Sequence, residues 1–203
     1  MKNIQSAFDM VPESVKSVAK QVSEHLKSKG IKHAIIGGIA VSAFSPPRTT
    51  EDVDFLIPES DSGVVYEFGD PAPVSGIYLQ GLTVEVEGHN VDFMFLPDDL
   101  SENVLLSGNI IDGIPIIPQE VLIFLKLKVG RVKDIGDVVA MLKTGGDRDK
   151  FKKFLKKYSP DMLEDFESII MMADFESEKF KDKGSLKSKK LAMDFFMRKI
   201  DKS

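Results

Sequence analysis

Ile35-Ile36-Gly37-Gly38-Ile39-Ala40 and, shortly after it, Arg48-Thr49-Thr50-Glu51-Asp52-Val53-Asp54-Phe55-Leu56-Ile57 decide how this chain is read. The first stretch sets a glycine pair between a strand-like apolar run and a small apolar run. The second sets two carboxylates one residue apart in an apolar run. On a strand, side chains at i and i+2 leave the same face, so Asp52 and Asp54 project together while Val53 and Phe55 point into a core. A third carboxylate, Asp92, sits in a similar run, Val91-Asp92-Phe93-Met94-Phe95. Carboxylates this close repel one another unless a cation lies between them. Mg²⁺ is such a cation, taking carboxylates together with water and substrate phosphates. If the strand of Asp92 runs beside that of Asp52 and Asp54, the three converge on a site for one or two metal ions. The glycine pair supplies the other half: without side chains it admits a phosphate to the backbone, where a helix N-terminus offers free N–H groups.

Outward from this centre the pattern is α+β. Val15, Val18, Ala19, Val22 and Leu26 recur at helical spacing behind Pro12, and Gly30 ends the helix. Ile31 to Ile36 reads as a strand, Ile39 to Phe44 as a short helix stopped at Ser45-Pro46-Pro47, and Val53 to Ile57 as a strand. Residues 59–76, rich in glycine and proline, read as mostly loop. Tyr78 to Glu87 alternates like a half-exposed strand, and a turn around Gly88 joins it to Val91–Leu96 as a hairpin. Ile110-Ile111, Asp112-Gly113 and Ile114–Ile117 form a second hairpin. From Pro118 the pattern turns helical: Val121–Val129, Val132–Leu142, Phe151–Tyr158, Met162–Phe175 and a last segment at Leu186–Ile200. The expected partition is an α+β head over residues 1–117 and a helical region over 118–203.

The 203 residues include no cysteine, which removes disulfides, thiolate metal sites and thiol nucleophiles together and fits a reducing, cytoplasmic setting. No signal peptide and no membrane span are read. The net charge of −5 hides a polarity: no Lys or Arg lies between Arg48 and Lys126, whereas Arg148–Lys157 and Lys179–Lys190 are lysine-rich. The basic runs read either as solvated helix faces or as attractors of an anionic substrate such as RNA or a nucleotide. His25, His33 and His89 have no metal-ligand spacing and read as structural.

With these residues in place the chain resembles the nucleotidyltransferase superfamily, with its DNA polymerase β-like fold, and within it the small prokaryotic branch that includes AbiEii-type toxins. The resemblance rests on Gly37 and Gly38 after a strand, on Arg48 and Thr50 ahead of Asp52 and Asp54, and on Asp92 on a later strand. It extends to Leu125-Lys126 and Gly130-Arg131-Val132-Lys133-Asp134-Ile135-Gly136-Asp137 and covers about residues 31–142. It implies a mixed sheet flanked by helices, with a C-terminal helical region. It implies transfer of a nucleoside monophosphate from an NTP such as ATP to a hydroxyl acceptor, with Mg²⁺ or Mn²⁺ as cofactor. Asp52, Asp54 and Asp92 would hold the metal, and Asp92 would take the acceptor's proton. Gly37 and Gly38 would cradle the triphosphate, with Arg48 and Thr50 beside them. Lys126, Arg131 and Lys133 would neutralise phosphates, and Asp134 and Asp137 would orient those bases. Many members carry serine after the first glycine; Gly38 leaves the phosphate grip to backbone and basic residues. The implied acceptor is the 3′ end of an RNA such as tRNA, a protein or a small molecule, and a cognate antitoxin or toxin is an implied partner. The alternative is a catalytically silent nucleotide-binding or toxin–antitoxin partner protein on the same fold.

Overall fold

The structure, a computed structural model, describes residues 10–46, 49–74, 79–98, 104–105 and 108–176. The chain divides into two compact units, Met1–Leu122 and Ile123–Ser203.

In the first unit, α1 (Glu13–Ser28) follows Pro12 and buries Val15, Val18, Ala19, Val22 and Leu26, the stripe anticipated from spacing. It ends where Gly30 takes φ 72° and Ile31 N–H returns to the Leu26 carbonyl at 2.9 Å. Strand β1 is only Ala34–Ile35, shorter than the apolar run suggests. The reason is local. The His33 ring is held between Ser23 Oγ (2.7 Å) and the Ile31 carbonyl (3.0 Å), and Ile36 already precedes the next helix as its cap residue. That helix, α2 (Gly37–Phe44), starts on the glycines themselves and not after them, and stops at extended Ser45 before Pro46. Strand β2 (Val53–Pro58) follows. Residues 59–76 are less loop-like than expected: Glu59–Glu67 coils into 3-10 turns that bury Val64 and Val65, and β3 is Ala72–Pro73. Two buried valines are too few to show a period in the sequence, yet they anchor the segment. Tyr78 lies outside the described residues, and the strand expected to begin there is Gly81–Val86 (β4).

Strands β4 and β5 (His89–Leu96) pair antiparallel through Glu87 and Gly88, both at positive φ, as a two-residue hairpin turn requires. β6 (Asn109–Ile111) and β7 (Ile114–Ile116) repeat the device at Asp112 and Gly113. The seven strands form one mixed sheet in the order β3-β4-β5-β2-β1-β7-β6. β2 runs parallel to β5 on one side and antiparallel to β1 on the other; β1 runs parallel to β7. Phe55 and Phe93 are register partners and stack at 5.8 Å between centroids, with Phe68 against Phe93 and His33 against Phe55. Since His33 is bonded to Ser23 of α1, this aromatic face is the one α1 covers. Successive residues on a strand alternate faces, so Asp54 and Asp92, each next to one of these phenylalanines, leave the opposite face.

The second unit is helical: α3 (Gln119–Val129, starting in the first unit), α4 (Val132–Thr144), α5 (Arg148–Tyr158), a 3-10 turn (Pro160–Met162) and α6 (Leu163–Glu176). Gly145 at φ 107° closes α4, and the Asp147 side chain caps α5 by accepting from Lys150 N–H at 2.9 Å. Phe151, Leu155, Phe166, Ile169, Val138 and Leu142 are buried in its core. The expected segment Leu186–Ile200 lies outside the described residues. Among them, no helix is long and apolar enough to cross a membrane.

Candidate active site

Parallel pairing of β2 with β5 puts Asp54 opposite Asp92, and antiparallel pairing of β4 with β5 puts Thr83 opposite Asp92. Register partners share a face, so Thr83, Asp92 and Asp54 form a polar row across three central strands. Asp54 and Asp92 are half-buried. Beneath them the sheet is apolar: Val53, Phe55, Val91 and Phe93 are 0% exposed, so the row stands on a rigid floor.

The glycine pair closes on this row. Ile36 N–H donates to the Asp54 carbonyl at 2.9 Å, which ties the start of α2 to β2. A Cβ on Gly37 would lie 1.8 Å from Asp54 Oδ2, and Gly37 sits at φ 62°, so two separate constraints demand glycine. A Cβ on Gly38 would lie 2.6 Å from Thr50 Oγ1. Thr50 in turn donates to the Asp52 carbonyl at 3.3 Å. The glycines are therefore the surface on which Asp54 and the Thr50 loop rest. No side chain caps α2, and its first turn holds no acid, so its amide end is chemically suited to an anion.

Asp52 stands just ahead of β2 and is exposed. Among the described residues, no three His, Cys, Asp or Glu side chains are grouped so as to hold a metal ion by themselves. Two half-buried carboxylates in register nevertheless suit Mg²⁺, which commonly takes one or two protein carboxylates and completes its shell with water and substrate phosphates. Arg48 lies outside the described residues.

Lys126, Arg131 and Lys133 of the expected site lie in the second unit. Lys126 is 8% exposed, and its Nζ stands 3.1 Å from Asp134 Oδ1 and 2.7 Å from Asp137 Oδ2. Arg131 reaches Asp134 with Nε at 2.7 Å and a second N–H at 3.4 Å. Burial by itself pushes the Asp134 carboxyl up, but hydrogen bonds and charge from Arg131 and Lys126 outweigh it and hold the group below its ordinary range. Arg131 precedes α4 and Lys133 lies in its first turn, both exposed.

Thr83 was not among the residues singled out from sequence. Counting back from the Glu87-Gly88 turn, which pairs Val86 with His89, places it opposite Asp92, so the signal is present once the turn residues are fixed. The contact between Gly37 and Asp54 has no sequence signature at all.

No family model matches the chain, and no curated protein matches it in sequence. Solved structures do. The solution structure of the antibiotic-resistance factor ANT(2'')-Ia is similar with a TM-score of 0.50 at 14% identity, over 75% of this chain and 96% of that one. A crystal structure of ANT(2'')-Ia in complex with adenylyl-2''-tobramycin gives 0.37 at 14% identity, over 92% and 99%. An antigenic nucleotidyltransferase-like protein from Paracoccidioides brasiliensis gives 0.43 at 19% identity, over 78% and 92%. The chain has the nucleotidyltransferase fold, a mixed sheet flanked by helices with helices at its C-terminal side.

Proposed function

We propose that this protein transfers a nucleoside monophosphate from an NTP to a hydroxyl acceptor. The observation that carries the reading is the register of Asp54 with Asp92 on adjacent parallel strands, with Gly37 packed so closely on Asp54 that no side chain fits between them. Asp54 and Asp92, with Asp52 alongside, would hold Mg²⁺ or Mn²⁺. Such an ion, when bound, neutralises charge developing on the transferred phosphoryl and leaving oxygens. Gly37 and Gly38 expose backbone to the triphosphate and Thr50 braces Gly38, and the sequence resemblance is what assigns Arg48, Arg131 and Lys133 to its phosphates. Lys126, held by Asp134 and Asp137, orders that basic segment. Asp92 accepts the proton of the acceptor hydroxyl as the acceptor oxygen bonds to the α-phosphorus and pyrophosphate leaves. The sequence resemblance supports placement in the small prokaryotic AbiEii-like branch, with a cognate toxin or antitoxin as partner, and the absence of cysteine supports a cytoplasmic setting.

A second reading, a nucleotide binder without transfer activity, is favoured by one observation: Asp52 is exposed ahead of the strand. The two separate in one assay. Each α-labelled NTP is incubated with Mg²⁺ and total RNA or lysate, using wild type, Asp54→Asn and Asp92→Asn. Transfer that falls at least about 100-fold in both variants, as expected where several kcal/mol of charge stabilisation are removed, supports the enzyme. Nucleotide binding with no transfer to any acceptor would instead establish the silent binder.

A further inference from the structure

Helix α5 concentrates cations. Over Arg148–Tyr158 the sequence Arg-Asp-Lys-Phe-Lys-Lys-Phe-Leu-Lys-Lys-Tyr carries six basic residues and one acid, in a chain of net charge −5. Two of the six are tied to α6: Arg148 to Asp174 at 2.7 Å and Lys152 to Glu167 at 2.6 Å. Those pairs and the buried Phe151 and Leu155 fix which side of α5 faces inward. Lys153, Lys156 and Lys157 are left exposed, and among the described residues none of the three has a carboxylate partner. Tyr158, 42% exposed, continues the surface, with the Lys157 ammonium 4.8 Å from its ring centroid and Phe154 packed at 4.7 Å.

We propose that this face binds the phosphate backbone of single-stranded RNA. Lys153, Lys156 and Lys157 occupy i, i+3 and i+4 positions, neighbours on one helix surface, so they present a compact block of positive charge to a polyanion. Tyr158 offers a ring at its edge on which a base can stack, and such pairing of cations with an aromatic is what sequence-tolerant single-strand binding uses. An anionic lipid surface fits less well. A helix that lies in a membrane must bury its apolar side in lipid, whereas Phe151 and Leu155 of α5 are already 2% and 0% exposed within the protein. As the dock of a transfer acceptor the surface names RNA as the acceptor class and rests on the transferase reading; as an RNA-binding surface it does not.

The test is fluorescence anisotropy of a labelled oligouridine RNA with the full-length protein in EDTA, across a salt series, so that neither metal nor turnover enters. Wild type is expected to bind, with affinity falling as salt rises. The triple variant Lys153→Gln/Lys156→Gln/Lys157→Gln, checked for folding by circular dichroism, should bind more weakly and reduce the log–log salt slope by about 2, the value for three lost phosphate contacts on a single strand. Tyr158→Ala should weaken binding with the slope unchanged. Asp54→Asn should bind RNA like wild type even if transfer is abolished, which separates failure of this proposal from failure of the transferase reading. No RNA binding at low salt, an unchanged slope in the triple variant, or binding to phosphatidylglycerol vesicles in place of RNA would overturn it.

Discussion

At Gly37 the backbone and the Asp54 carboxylate make the same demand. Gly37→Ala would place a methyl group within bonding distance of Asp54 Oδ2 and would hold an L-residue at φ 62°. The left-handed backbone alone costs about 1–2 kcal/mol. We expect the unfolding free energy of the variant, measured by urea denaturation, to fall by at least that much and its transfer activity to drop with it, because relief comes from pushing Asp54 out of its row. Gly30→Ala is the control. It also has positive φ, 72°, but nothing lies within 4 Å of its Cβ position, so it should lose stability while keeping transfer. The acids and glycines were legible from sequence because each breaks a local rule: Asp in an apolar strand, Gly-Gly after one. Their mutual contact was not, since it depends on how α2 lies against β2, and no spacing encodes that.

The hairpins and the stripe of α1 could be read ahead of the structure because their signals are local: an Asp-Gly turn, a turn around Gly88, or a repeat every three to four residues. The parallel alignment of β2 and β5, in which Phe55 stacks on Phe93, could only be supposed, because the two strands are joined through intervening elements and no local spacing encodes their register. The network joining α3 to α4 is a similar case. Lys126, which the resemblance assigns to phosphates, is held by two carboxylate partners that define its environment. Lys126→Met should destabilise the protein by about 3–5 kcal/mol, since it leaves buried carboxylates short of a cation. Asp137→Asn should cost less, because Lys126 keeps Asp134. Chemical denaturation followed by far-ultraviolet circular dichroism checks both; equal losses would show that Asp134 does not anchor the network.

Across the whole molecule the two units carry different responses to acid. In the first, burial excludes charge from His33 and lowers its pKa from 6.5, outweighing the hydrogen bond to the Ile31 carbonyl. The unfolded chain still binds that proton near pH 6.5, so the stabilising contribution is complete above that value and is lost as pH falls from 6.5 toward the folded value. In the second, Asp134 is held below its ordinary 3.8, so its contribution is complete above 3.8 and is lost only as pH falls further. Hydrogen exchange should therefore show α1 and the neighbouring strands losing protection between pH 7 and 5 while α4 keeps its own. His33→Gln should flatten that response. A uniform loss in both units would contradict the assignment.

The packing of Gly37 on Asp54 also has a genetic consequence. Because one residue occupies the space the other would need, substitutions at the two positions are not independent. Shortening Asp54 to Gly should relieve the clash in Gly37→Ala and recover part of the lost stability, but not the cost of its positive φ, while leaving transfer abolished. A selection for folding would then tolerate a shortened residue at position 54 that a selection for activity would reject, while the positive φ of Gly37 favours glycine under either.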